Sequence, residues 1–250
     1  MERWTYDGEL LQGQPPGVYY RPYVVFNPNT HKYVLWYNWY PKLWEGQAGV
    51  AVSDTSVGPF KIVSGNVHLS EKNPGDGSLF VDDDGTGYYI YTAINKNHTV
   101  FVERLKPDYL CVTGEISKKL AQGAESPLIF RRNNLYYAMW GPLCLACSNG
   151  SPVQVCVAAA PLGPFFIMPD INGSPTNGVP DIPAQETWVA NISTSGGPLF
   201  IWMADRWGSS PDGINGHDFQ FWVPLEFSLD GHILPIKYYA RCSVSWSQKN

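Results

Sequence analysis

Charged residues are scarce in this chain, at 16% of 250 positions, against roughly 25% in an average soluble protein. The net charge of −5 provides no basic surface, so neither nucleic acid nor an anionic membrane is expected as a partner. No apolar run reaches the length of about 18 residues that a membrane-spanning helix needs. Residues 1–8 also lack the apolar core of a signal peptide, and no export signal is expected in this chain.

Long runs of strong helix formers are equally absent, while helix breakers are plentiful. The chain has 24 Gly and 21 Pro, and aromatic residues add 14%. This composition argues against a helical bundle, because Gly and Pro both destabilise helix interiors. Disorder is excluded as well, since 44% hydrophobic residues with 10 Trp can form a large core. The composition therefore favours a β-rich protein with many tight turns.

The five cysteines are an odd number, so at least one thiol has no partner within the chain. A single C-x-x-C pair is weak evidence for zinc without a second pair of ligands. We therefore expect structural cysteines that are buried or joined in local disulfides. These residues are Cys111, Cys144, Cys147, Cys156 and Cys242.

A repeat organises the chain. Four segments share a plan in which a polar residue precedes a short apolar strand, a turn and an aromatic strand, and further strands follow in each. The segments begin at Arg21, Asp76, Glu125 and Gln185. A spacing of about 50 to 60 residues with four short antiparallel strands is typical of β-propeller blades. A β-sandwich also has short strands but lacks this repeating unit. The sequence predicts an all-β propeller in a single domain spanning 1–250.

The ends of the chain fit the repeat only in part. Residues 4–11 resemble the outermost strand of a further blade. We therefore count four complete blades and a partial first blade, and expect an N-terminally incomplete domain.

Equivalent positions in successive blades meet around the axis of a propeller, because each innermost strand runs along the central channel. Arg21, Asp76, Glu125 and Gln185 head the four predicted inner strands. A single Asp or Glu before a strand is usually a capping or turn residue. Four polar residues at one repeat position favour a functional site. Paired carboxylates on either side of a sugar are what glycosidic cleavage requires.

One acidic run invites a different reading. Residues 82–85 read Asp-Asp-Asp-Gly, which suggests a calcium loop but lacks the alternating ligand spacing and the distal Glu. A hairpin turn explains the run better.

Several motifs resemble glycoside hydrolase family 43, and its galactanase-like branch in particular. The resemblance extends from Trp4 to Lys237, and its motifs lie at residues 75–85, 125–130, 163–165, 182–187, 202–207 and 216–222. It implies a five-bladed propeller that hydrolyses arabinose-, xylose- or galactose-containing glycans. Such enzymes typically act outside the cell and with inversion.

The resemblance also implies catalytic roles. Glu125 matches the general acid, and Asp76 matches the carboxylate that raises the pKa of that acid and orients it. The usual general base, an Asp on the inner strand of the first blade, has no counterpart here. In the galactanase-like branch an imidic Gln takes that role, and Gln185 stands at the matching position. Glu186 is a nearby ionisable alternative.

The remaining expectations concern the pocket and its partners. The predicted substrate-binding residues are Arg21, Glu186, Trp188, Asp205, Trp207 and His217. We expect an oligosaccharide or polysaccharide substrate, a monomer, no metal in the catalytic site and no cofactor, although some relatives hold a structural calcium ion in the channel. The expected location of the full-length protein is extracellular. Two alternatives stay open, namely a carbohydrate-binding propeller without turnover and an interaction scaffold.

Overall fold

The computed structural model describes residues 5–143, 149–173, 182–239 and 241. Within them the protein is built from antiparallel strands and two short 3₁₀ helices. The strands form four separate sheets. The all-β class and the four blades of the predicted propeller are thus confirmed, while the fifth blade stays a prediction. By its contacts the chain divides into two compact units, Met1–Gln122 and Gly123–Asn250.

The first unit contains two four-stranded sheets, each with its strands in sequence order. The first sheet comprises β1 (Val18–Asn27), β2 (Lys32–Tyr40), β3 (Gln47–Ser53) and β4 (Lys61–Ser64). The second comprises β5 (Pro74–Val81), β6 (Gly87–Ala93), β7 (Thr99–Leu105) and β8 (Val112–Ile116). β1 and β5 lie side by side without sharing a sheet.

The second unit repeats this plan with a four-stranded and a three-stranded sheet. The former comprises β9 (Ala124–Arg132), β10 (Leu135–Pro142), β11 (Gln154–Ala158) and β12 (Phe166–Met168). The latter comprises β13 (Gln185–Thr194), β14 (Gly197–Asp205) and β15 (Gln220–Pro224). In the described part of the chain the last sheet therefore lacks the fourth, outer strand that the repeat predicts. Here β9 and β13 are the neighbours.

Each unit has an apolar core between its two sheets. In the first unit Trp36 and Tyr89 face each other across the seam, with ring centroids 4.7 Å apart. In the second unit Tyr137 and Trp202 belong to one cluster of buried side chains drawn from both sheets. The aromatic strands of the repeat thus form the packing layers between blades, where each ring removes a large apolar area from water.

The hairpin turn predicted for Asp82–Gly85 is present in the structure. The Gly85 amide donates to the Asp82 carbonyl over 2.9 Å, and Gly85 adopts a φ of 81°. This left-handed conformation suits glycine because it has no Cβ to clash with the backbone.

The N-terminal segment contacts the end of the first sheet near Phe60, which the repeat did not predict. Leu11 forms an isolated parallel bridge with Phe60, and the Phe60 amide donates to the Leu10 carbonyl over 2.8 Å. Tyr19 stacks on Trp39 nearby, with ring centroids 5.6 Å apart. Oη of Tyr19 also donates to the Pro15 carbonyl over 2.6 Å. The segment before β1 therefore contacts the first sheet through Leu10, Leu11 and Pro15.

Candidate active site

The four polar residues at the repeat position all lie beside an irregularity in their strands. Pairing with the second strand shifts register between Tyr20 and Tyr23, Pro74 and Gly77, Glu125 and Leu128, and Glu186 and Trp188. Such β-bulges re-aim side chains and are frequent next to active sites. Arg21 itself has a φ of 48°, which is uncommon for a residue with a side chain. In all four inner strands the repeat position therefore coincides with a local break in regular strand pairing.

In the first unit this position forms an ion pair. The Arg21 Nη2 atom lies 3.2 Å from Oδ2 of Asp76. The two side chains are only 10% and 19% exposed, so solvent screens the pair less than it would on an open surface. The two residues stand 55 positions apart in sequence and meet because β1 and β5 are neighbours.

In the second unit the same position forms a hydrogen-bonded chain of three side chains. Nε2 of Gln185 donates to Oε2 of Glu125 over 3.2 Å. Nε1 of Trp207 donates to Oε1 of the same amide over 2.9 Å. Because the indole N–H can only donate, it fixes which end of the Gln185 amide faces Glu125. Gln185 is 3% exposed, so its orientation is well determined by these contacts.

Two further residues of the predicted pocket belong to the strands that carry these hydrogen-bonded side chains, or to the strand paired with them. Asp205 is the cross-strand partner of Gln185, and its carboxylate accepts a hydrogen bond from Gln220. Trp188 follows the bulge in β13 and is half-buried. Asp205 therefore lies opposite Gln185, whereas Trp188 lies three residues further along β13 and pairs with Met203. The role of both residues in binding substrate stays a prediction.

The other two predicted residues are placed differently. Glu186 is completely buried. His217 is exposed in the short 3₁₀ helix Asn215–His217, and its Nδ1 atom lies 2.7 Å from Oδ2 of Asp212. This hydrogen bond from His217 is the main reason that the pKa of Asp212 lies below its usual value. His217 thus shares the β14–β15 connection with Trp207 but pairs within that loop.

Sequence reasoning missed a histidine near the first pair. Burial lowers the pKa of His98, and the negative charge of Asp76 partly opposes that shift. The imidazole also meets the Trp44 ring edge-on, with centroids 6.1 Å apart. His98 directly precedes β7, whereas the repeat position heads the inner strands. Comparing the loops before the third strands would have found it.

The cysteines form no evident centre in the part of the chain that is described. Cys111 is exposed and Cys156 is buried, and both are free thiols. The expectation of a buried or disulfide-bonded cysteine is therefore wrong for Cys111, which lies on the exposed turn between β7 and β8. Burial raises the pKa of Cys156 to about 12. Cys144, Cys147 and Cys242 lie outside the described residues.

The described residues contain no group of three or more His, Cys, Asp or Glu side chains that could hold a metal ion. Their helices are all too short or too polar to cross a membrane.

Similarity to solved structures supports the fold. A GH43 β-1,3-galactosidase bound to galactodeoxynojirimycin superposes with a TM-score of 0.80 at 22% identity, over 95% of this chain and 82% of that one. The exo-β-1,3-galactanase of Clostridium thermocellum gives 0.72 at 25% identity, over 87% and 48%. That of Phanerochaete chrysosporium with β-1,3-galactotriose gives 0.72 at 25%, over 88% and 49%.

The chain spans about half the length of the two galactanases. No curated protein matches it. The family model "Glycosyl hydrolases family 43" matches residues 20–172, more than half of the 250 residues. The chain therefore belongs to glycosyl hydrolase family 43.

Proposed function

We propose that the protein is a glycosidase that cleaves O-glycosidic bonds of arabinose-, xylose- or galactose-containing glycans with inversion, and that Glu125 is its general acid. The observation that carries this proposal is the chain from Trp207 through Gln185 to Glu125. It places a carboxyl group, a candidate base and a side chain that orients the base next to one another. Family membership agrees with this chemistry.

The reaction divides between Glu125 and Gln185. Glu125 gives its proton to the leaving glycosidic oxygen while water attacks the anomeric carbon. Gln185, as the imidic tautomer, takes a proton from that water on Nε2, with sugar and water lying between acid and base, because inversion needs the two groups about 6.5 to 9.5 Å apart. The 3.2 Å hydrogen bond therefore belongs to the protein without substrate. Once the product has left, the two side chains meet again and the Nε2 proton passes along this bond to the Glu125 carboxylate. Both groups return to their starting states, so the cycle needs no other proton carrier.

The family resemblance implies a role for Asp76 too, that of the carboxylate that raises the pKa of the general acid and orients it. Within the first unit Asp76 pairs with Arg21 over 3.2 Å. The substrate contacts are assigned to Arg21, Trp188, Asp205, Trp207 and His217.

The substrate to test first contains galactose. Two of the similar structures are named exo-β-1,3-galactanases, and one was solved with β-1,3-galactotriose. We propose a β-1,3-linked galactan as the substrate class of this chain and extracellular polysaccharide degradation as its process. The enzyme is expected to act as a monomer without a cofactor, and no step is assigned to a metal.

Leaving-group chemistry tests the role of Glu125 directly. Wild type and Glu125→Gln are compared on β-1,3-galactotriose and on a dinitrophenyl β-galactoside, whose leaving group departs without a proton. Loss of the acid should lower kcat on the oligosaccharide by about 10² to 10⁴-fold. On the dinitrophenyl glycoside the loss should be less than about tenfold.

A surface variant controls for general effects of changing Glu to Gln. Glu226 is exposed and pairs with Lys237 over 3.7 Å, so Glu226→Gln should behave like wild type. Equal losses on both substrates in Glu125→Gln would contradict the acid role. Glycan binding without any turnover in wild type would instead support the carbohydrate-binding alternative.

A further inference from the structure

The first unit contains a cavity of about 350 Å³ at the start of β3 and β5. Two segments line it. The first comprises residues 45–47, which lead into β3, and the second comprises residues 66–69 and 71–74, which connect β4 to β5. Binding sites for small molecules usually have volumes of roughly 300 to 1,000 Å³, so this cavity has room for a small ligand. Its lining ends at Pro74, two residues before Asp76.

Hydrogen bonds hold the two segments together. Asn73 in the second segment binds the first one twice, because its Nδ2 atom donates to the Trp44 carbonyl over 3.0 Å and its Oδ1 atom accepts from the Gly46 amide over 2.6 Å. The Val67 amide donates to the Ala48 carbonyl over 2.7 Å. The second segment is thus joined to both ends of the first.

Gly46 allows the first segment to lie directly against β5. A Cβ atom at this position would lie only 1.8 Å from the Pro74 carbonyl oxygen, so a side chain here would push the segment away. Glycine has no Cβ and permits this close approach of one backbone to another. The cavity therefore exists before a ligand enters, and a preorganised site loses little conformational freedom on binding.

The lining combines donors and acceptors of hydrogen bonds. Lys72 can donate, and the carboxylates of Glu45 and Glu71 can accept. Both carboxylates also pair with a lysine outside the lining, Glu45 with Lys42 over 3.7 Å and Glu71 with Lys96 over 2.7 Å. An anion would meet these carboxylates and a cation would meet Lys72. A sugar hydroxyl both donates and accepts, so a neutral sugar can use both kinds of group.

The rest of the lining fits the same class of ligand. Val67, Leu69 and Pro74 contribute apolar surface, against which the C–H groups of a sugar ring can pack. Asn66 adds an amide that both donates and accepts, and its side chain is exposed. Polar groups above an apolar surface are what a polyhydroxylated ring requires.

We propose that this cavity is a carbohydrate-binding site of the first unit, and that it holds a neutral sugar residue of the glycan in addition to the residue that is released. This inference rests on the proposed function for the identity of the glycan. A second contact with the same chain raises the apparent affinity for a long substrate. It contributes nothing to the chemistry of bond cleavage, so it acts on KM and not on kcat.

An NMR titration of the isotope-labelled protein with β-1,3-galactotriose tests the site directly. It is performed on Glu125→Gln, in which the proposed acid is absent and the ligand is preserved. The amides of Gln47, Val67 and Lys72 should shift and saturate. Adding Asn66→Ala and Lys72→Ala should raise the dissociation constant measured at Gln47 by roughly tenfold, because two exposed hydrogen-bonding side chains are lost.

Lys61→Ala is the matched control. Lys61 is also an exposed lysine of the first unit, but it lies on β4 outside the lining. Its substitution should leave the dissociation constant unchanged. In the enzyme with Glu125, Asn66→Ala with Lys72→Ala should raise KM on a β-1,3-linked galactan by roughly tenfold. The same pair should leave kcat on the galactan and KM on a dinitrophenyl β-galactoside unchanged.

The outcomes separate this site from the proposed function. Amides that do not shift and saturate, or a dissociation constant that the two alanines leave unchanged, overturn this inference even when wild type hydrolyses the galactan. Galacturonate that binds more tightly than galactose overturns the assignment to a neutral sugar. Saturating shifts in a protein whose wild type has no turnover would support the site and overturn the proposed function.

Discussion

Trp207 decides how the amide of Gln185 is oriented, because its indole N–H donates to Oε1 over 2.9 Å. Trp207→Phe keeps most of the ring and removes only this donor. A hydrogen bond of this kind contributes about 1 kcal/mol, so kcat on β-1,3-galactotriose should fall by roughly five- to tenfold, with a smaller change in KM.

Trp39→Phe supplies the comparison for Trp207. Trp39 also uses its N–H, donating to the Gly65 carbonyl over 2.6 Å, but it belongs to the core of the first sheet. This variant should lose stability and keep its kcat. Equal kcat values for Trp207→Phe and wild type would show that the indole N–H does not orient the base.

His98 should make stability depend on pH. Burial lowers its pKa from 6.5 in the folded protein, so the unfolded chain binds the proton more readily. The contribution of neutral His98 to the free energy of unfolding is therefore fully present above pH 6.5. It decreases as the pH falls through the lowered pKa of the folded state. The free energy of unfolding, measured between about pH 7 and about pH 5, should fall less steeply in His98→Asn than in wild type.

His31→Asn is the control for this slope. His31 also adopts a left-handed backbone, with a φ of 54° against 48° for His98, but it is exposed. Asn tolerates this region of φ, so both substitutions are compatible with the backbone. A slope that His98→Asn leaves unchanged, or that His31→Asn changes equally, would contradict the assignment.

At the level of elements, the segment between β4 and β5 is held by a buried network. Oη of Tyr91 donates to Glu103 over 3.0 Å and accepts from the Glu71 amide over 3.1 Å. Glu103 also accepts from the Ser70 amide over 3.1 Å. This network fixes residues 70–71 shortly before Asp76, so the approach to the first ion pair depends on β6 and β7.

Tyr91→Phe tests this network. Removing one buried partner leaves the others unsatisfied, and the free energy of unfolding should fall by about 1 to 3 kcal/mol. The Glu71 amide should exchange its hydrogen faster, while the Val67 amide, bonded to the Ala48 carbonyl over 2.7 Å, should not. Tyr88→Phe on the opposite face of β6 should change neither amide. Unchanged exchange at Glu71 in Tyr91→Phe would contradict this role.

At the scale of the whole molecule, the repeat predicted more of the fold than of the site. Alternating aromatic strands are local features, so Trp36 and Tyr89 could be assigned to strands from sequence. The repeat also brought Arg21 to Asp76 and Glu125 to Gln185, at 3.2 Å in both cases. Residues at one repeat position lie on neighbouring strands, which explains this success.

The remaining features depend on contacts that no repeat encodes. Glu186 is buried, and its Oε1 atom lies 3.2 Å from the place that a Cβ atom of Gly141, far away in sequence, would take. His217 turns to Asp212 through the local geometry of its loop. The bulges shift the register at each site position, and a register shift is invisible in a pattern of residue types. Side-chain burial and bulges thus set the limit of what the sequence could predict.

Inverting hydrolysis of a glycan with Glu125 as the acid fixes the anomer of the first product. Proton NMR of the sugar first released from β-1,3-galactotriose identifies that anomer, with wild type and Glu125→Gln measured in parallel. We expect α-galactose as the first product of wild type, because inversion of a β-linkage gives the α-anomer, and almost no release by the variant. No galactose from wild type, β-galactose as its first product, or equal release by Glu125→Gln would contradict this mechanism.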